Sequence, residues 1–172
     1  MLETAGAAGI EHPGGTLLAH LLRTSELLAA WGARPALVSA GLCHAFYGTD
    51  GFPVALMDLD RRTELAAAIG TEAEHIVYVY ASCDRTASYR QLAEDKGVFM
   101  DRFTGESTCP AAQERQDFAE LTAANELDLA GVSPRSHHDR AAGLLGLFTR
   151  WRGLLSEPAW AHCCRVLGGA DR

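Results

Sequence analysis

Apolar positions recur every third or fourth residue through most of the chain, the spacing that places them on one face of an α-helix. Leu17, Leu21, Leu28 and Trp31, with Leu18 and Leu27 beside them, form the first stripe. It predicts a helix over 13–31, with Pro13 at a first helical position, where the missing N–H costs nothing, and Gly32 as its stop. Leu37, Val38, Gly41, Leu42 and Ala45 predict a second helix over 35–46, ending in the turn-rich Tyr47-Gly48-Thr49-Asp50-Gly51. Segment 52–59 reads as a loop or short helix, and a further helix runs to Ile69 and stops at Gly70. Ile76, Val77 and Val79 would suit a strand. However, Thr71 and Glu74 have capping-box spacing, so 72–83 is predicted helical.

The pattern then changes. Val98-Phe99-Met100-Asp101-Arg102-Phe103-Thr104 alternates loosely and predicts a small β-hairpin arm over 97–105. Such an arm needs something to cover Phe99 and Phe103: a lid position, a dimer contact, or the arm's own domain. A helical pattern returns over 111–129. Residues 131–139 read as a linker in which His137-His138 is solvated surface. Leu144, Leu147, Phe148, Trp151 and Leu154 predict a long helix over 138–155, and Ser156 caps a closing helix through Leu167. No internal repeat or domain boundary interrupts this order. The expectation is one all-α domain of packed helices with a minor hairpin.

A chain of 172 residues with 48% hydrophobic content can build a sizeable core. Its formal net charge of −7 and its lack of a basic stripe argue against a nucleic-acid partner. No apolar run approaches the roughly 20 residues that cross a bilayer, so no membrane partner is expected. Met1 to Ile10 has no basic flank and no continuous apolar stretch, unlike a secretory signal. The five cysteines show no CxxC spacing and read as reduced thiols in a cytoplasmic protein, with Cys163-Cys164 as core filler.

Two histidines stand out. His20 lies within the first amphipathic helix and His44 at the end of the second, so a helical hairpin can bring them together. Each taken alone reads as a satisfied core residue; as a facing pair they become candidates for chemistry. His44 can act as general base or acid near neutral pH, oriented by Asp50 or Asp84. Arg85 can hold an anionic group by a bidentate contact, or it can cap a helix end. Tyr47 can donate a proton, or pack with its hydroxyl at the rim. His12, on a continuous helix, would lie about two turns and roughly 12 Å from His20, either lining the pocket mouth or marking the helix entry. Thr122, Asn125 and Glu126 share one helical surface.

The stretch from His20 to Asp50, with Ile69-Gly70-Thr71-Glu72-Ala73-Glu74-His75-Ile76-Val77 after it, resembles the HD-domain superfamily of metal-dependent phosphohydrolases. His12-Pro13-Gly14-Gly15-Thr16-Leu17, His44-Ala45-Phe46-Tyr47-Gly48-Thr49, Asp101-Arg102-Phe103-Thr104-Gly105 and Ala124-Asn125-Glu126-Leu127-Asp128 are similar to an uncharacterised bacterial branch of it. The resemblance implies an HD-like helical bundle in which His20 and His44 match the two metal-binding histidines. Ala45 stands where the superfamily has the paired Asp, and Asn125 stands near its later Asp, so both anionic ligands are replaced. Asp84 is the first candidate substitute, with Asp50 and Glu126 after it, giving a His20, His44 and Asp84 set for a single divalent Zn, Mn or Fe. The metal-free alternative uses His44, Tyr47, Asp50 and Arg85, with His12, Asn125 and Glu126 facing a small-molecule substrate. Two functions remain open: a hydrolase or lyase acting on a small molecule, or a ligand-binding or regulatory module on a metal-degenerate scaffold. A homodimer is compatible with either.

Overall fold

The computed structural model describes residues 2–132 and 134–169, with 134–139 as backbone only. It is an all-α fold carrying two small antiparallel strand pairs. The first pair corrects the predicted start of the first helix. β1 (Glu11–His12) pairs with β2 (Gly15–Thr16), and Pro13-Gly14 form the turn between them. Gly14 has a φ of 80°, a region that favours glycine, and a Cβ there would lie 2.5 Å from the Cβ of Val132. The turn is thus pressed against the far end of a later helix. α1 (Leu17–Ala30) starts only after this hairpin, because Thr16 Oγ1 accepts the Ala19 N–H at 3.2 Å.

α2 (Pro35–Cys43) packs along α1. At Gly41 an added Cβ would meet Leu28 Cδ1 at 2.5 Å, with Ser25 Cα at 3.4 Å, so the missing side chain lets the two helices approach closely. His44 follows as the C-cap. The chain then folds back on itself: the N–H groups of Leu56 and Met57 both donate to the Phe46 carbonyl, and 52–58 is irregular. α3 (Arg62–Ile69) and α4 (Thr71–Ser82) meet at Gly70. No capping box forms there, since Gly70 occupies the cap position and offers no side chain. Glu74 is drawn instead to Arg62, at 2.7 and 2.9 Å, and to the Tyr47 hydroxyl.

A short α5 (Arg85–Ser88), unpredicted, follows with Asp84 as its cap. The second hairpin, β3 (Phe99–Met100) with β4 (Ser107–Thr108), folds back on its own chain. Phe99 is buried edge-on against Phe118, 5.8 Å between ring centroids.

α6 (Ala112–Val132) is the central helix and contacts α1, α4, α7 (Pro134–Arg150) and α8 (Glu157–Leu167). Because it is enclosed on several sides, it has no single apolar stripe, and Asp117, Glu120, Thr122, Asn125, Glu126 and Asp128 are all buried along it. Of the expected linker over 131–139, 131–132 close α6 and 134–139 open α7; the surface reading of His137-His138 concerns side chains outside the described residues. Phe148 and Trp151 of the last predicted stripe are fully buried, and Ser156 caps α8 as expected. No helix among the described residues is long and apolar enough to cross a membrane.

Candidate functional site

The α1–α2 pairing and the adjacent α6 bring His20, His44 and Asn125 to one point. His20 Nε2 lies 3.2 Å from His44 Nε2 and 3.1 Å from Asn125 Oδ1. His20 and His44 are 1% and 2% exposed, so their protons must be assigned by neighbouring groups and not by bulk water. His44 Nδ1 donates to the Gly41 carbonyl at 2.8 Å, which is one helical turn earlier in α2. His20 Nδ1 donates to Asp128 Oδ2 at 2.7 Å. Arg23, one turn further along α1, grips the same carboxylate at 2.6 and 3.0 Å. Burial opposes ionisation of Asp128, but hydrogen bonds from His20 and Arg23 outweigh it and hold its pKa below the ordinary carboxylate value.

With both Nδ1 atoms as donors, the two facing Nε2 atoms repel unless one proton lies between them. With that proton in place the pair would hold three protons on four ring nitrogens, and Asn125 Oδ1 would be a second acceptor for His20 Nε2. Burial and then the charge of His20 push the His44 pKa down to about 3, leaving His44 as the neutral acceptor.

His12 joins this cluster, which corrects the reading that set it two helical turns away. The β1–β2 hairpin folds it back so that its ring stacks on His20 with centroids 4.2 Å apart. Burial and the charge of His20 lower its pKa to about 4. Its Nδ1 is buried and has no hydrogen-bond partner among the described residues.

The three histidines line a cavity of about 200 Å³, together with Arg85, Asn125, Glu126 and Arg140 among others. Leu17, Phe52 and Leu129 supply apolar wall. The Arg85 guanidinium lies over the rings of Tyr80 and Tyr89 at 5.8 and 6.0 Å, and its Nη1 is 3.8 Å from Glu126 Oε1. It makes no closer side-chain hydrogen bond to a described residue.

Other expected site residues lie elsewhere. Asp84 caps α5 by accepting the Ala87 N–H at 2.9 Å and does not line the cavity. Asp50 accepts the Arg85 backbone N–H at 3.0 Å, so it anchors α5 and does not orient His44. Tyr47 donates to Glu74 at 3.0 Å in the Arg62 network, away from the cavity. Three contributors escaped the sequence reading: Asp128, Arg23 and Arg140. Asp128 follows Asn125 by three residues, a spacing that shares a helix face, and this was the available signal.

The metal set of His20, His44 and Asp84 therefore does not assemble. Among the described residues, no three His, Cys, Asp or Glu side chains group as metal ligands. The donors that converge there are two imidazoles and an amide oxygen, while the carboxylate on the same wall, Glu126, stands between Arg85 and Arg140. A dication would add its charge beside two guanidiniums. The residues fit a resident divalent metal poorly. Ala45, at the position where the resemblance places a ligand Asp, is buried in a small apolar cluster with Ala7, Leu17 and Leu21.

Residues 1–85 match the model of a family described as a domain of unknown function, DUF6817. That segment carries His12, His20, His44 and Arg85; the α6 partners Asn125, Glu126 and Asp128 lie beyond it. No curated protein and no solved structure matches the chain.

Proposed function

We propose that the protein is an enzyme of hydrolase or lyase type acting on a small phosphate ester or comparable oxyanion, by acid–base chemistry at the His20–His44 pair. The observation that carries this reading is the 3.2 Å approach of two facing Nε2 atoms at the wall of a cavity that also presents Arg85. A guanidinium with open donors suits a phosphate or carboxylate oxygen pair. An oxyanion seated on Arg85 would bring its ester oxygen toward the histidines. That oxygen can take the shared proton as it departs, while the imidazole freed by the transfer takes a proton from an attacking water or from an adjacent carbon. Asp128 serves as the orienting carboxylate of His20, where Asp50 or Asp84 had been expected to orient His44. Arg23 fixes Asp128 in turn. No step is assigned to a metal.

The test uses protein purified without a metal-affinity column and assayed with chelator present against a panel of phosphate esters. His44→Gln is expected to lower kcat/KM at least about 100-fold, the scale of a lost acid–base group, with unchanged helical circular dichroism. Turnover that requires stoichiometric metal, or that survives in His44→Gln, would contradict the reading. Tight anion binding without turnover would make the chain a ligand-binding module.

A further inference from the structure

Glu126 is an anomaly in a cavity built for an anion. It is buried (4% exposed) and lines the same wall as Arg85. Its Oε1 is 3.4 Å from Asn125 Nδ2 and 3.8 Å from Arg85 Nη1. Its Oε2 is buried without a hydrogen-bond partner among the described residues, and the mostly exposed Arg140 approaches no nearer than 3.7 Å. A buried carboxylate oxygen left unbonded costs stability, and a carboxylate beside an anion site repels a simple anion. Both costs vanish if the ligand itself brings a proton donor to Glu126.

We infer that the ligand is an oxyanion bearing a hydroxyl or ammonium donor close to its anionic group, and that Glu126 is the residue that selects it. This rests on the anion-binding reading of Arg85 given above. Arg85 Nη1 lies 3.8 Å from Glu126 Oε1, so the oxygen held by Arg85 and the donor that meets the orphaned Oε2 of the same carboxylate belong to one small molecule. A hydroxyl or ammonium two carbons from a phosphate ester oxygen is the simplest ligand that carries both groups. His12 Nδ1, also unpartnered and on the cavity wall, is a second polar contact for the same group. The ligand reaches Glu126 by displacing the Arg140 side chain, which is 60% exposed and holds Glu126 no closer than 3.7 Å.

Three probes differing in one group separate the claims. Ethyl phosphate, 2-hydroxyethyl phosphate and phosphoethanolamine are titrated into the wild-type protein by calorimetry, with inorganic phosphate as the reference anion. At least one donor-bearing ester should bind ten times or more tighter than ethyl phosphate, and which one does so tells hydroxyl from ammonium. In Glu126→Gln the preference should fall below twofold while ethyl phosphate binds more tightly, because a repelling charge has gone. Equal binding of the three esters to wild type would overturn the inference and leave the anion site standing. No binding of any probe, inorganic phosphate included, would overturn both. The wild-type comparison decides even if the variant does not fold.

Discussion

At the scale of single residues, the site depends on which groups hold the ring nitrogens of two buried histidines. Asp128 is the critical one, because it makes His20 Nδ1 a donor and so leaves Nε2 to face His44. Asp128→Asn should keep a hydrogen bond to one partner and lose the charge that balances the pair and Arg23. Unfolding in urea should show a loss of about 1–3 kcal/mol, the usual cost of leaving buried polar partners unsatisfied. A midpoint equal to wild type would mean that Asp128 does not hold the pair. The facing of His20 and His44 was legible in the sequence, since both sit on helices joined by a short turn. The supporting carboxylate was not. Asp50 and Asp84 were plausible by position, yet both are consumed by backbone N–H groups at the start of α5, the common use of Asp next to a helix N-terminus.

At the scale of elements, α1, α2 and the packed half of α7 were readable from apolar periodicity, and α8 from its Ser156 cap. Two features were not. The β1–β2 hairpin hides in a Pro-Gly-Gly sequence that also suits a helix start, and only the cap at Thr16 settles where α1 begins. α6 is enclosed on several sides, so its buried polar residues make no amphipathic pattern, although they include most of the site's second half. The hairpin matters for function because it alone delivers His12. Gly14→Ala places a side chain in a positive-φ conformation and against Val132. It should lower stability by about 1–3 kcal/mol. It should also move His12 off the His20 ring, seen as a change in the histidine ring proton shifts. Unaltered shifts and stability would show that the turn is not locked to α6.

At the scale of the whole molecule, a chain of net charge −7 encloses a cavity lined by two arginines and one carboxylate. Overall charge says nothing about the pocket, because the site is assembled from separate elements: the β1–β2 hairpin, α1, the end of α2, α5, α6 and α7. The family match ends at residue 85, before the α6 carboxylates that define the proton arrangement. The central claim is that arrangement: one proton shared between His20 and His44, with His44 neutral. Two-bond proton–nitrogen correlation spectra of the histidine rings, recorded from pH 7.5 to 5 with chelator present and absent, test it most directly. The account predicts that His44 stays in its Nδ1–H neutral form across this range, that both His20 nitrogens carry protons, and that chelator changes nothing. Lone-pair shifts at both Nε2 atoms, or a pattern that chelator alters, would contradict it and return the site to a metal.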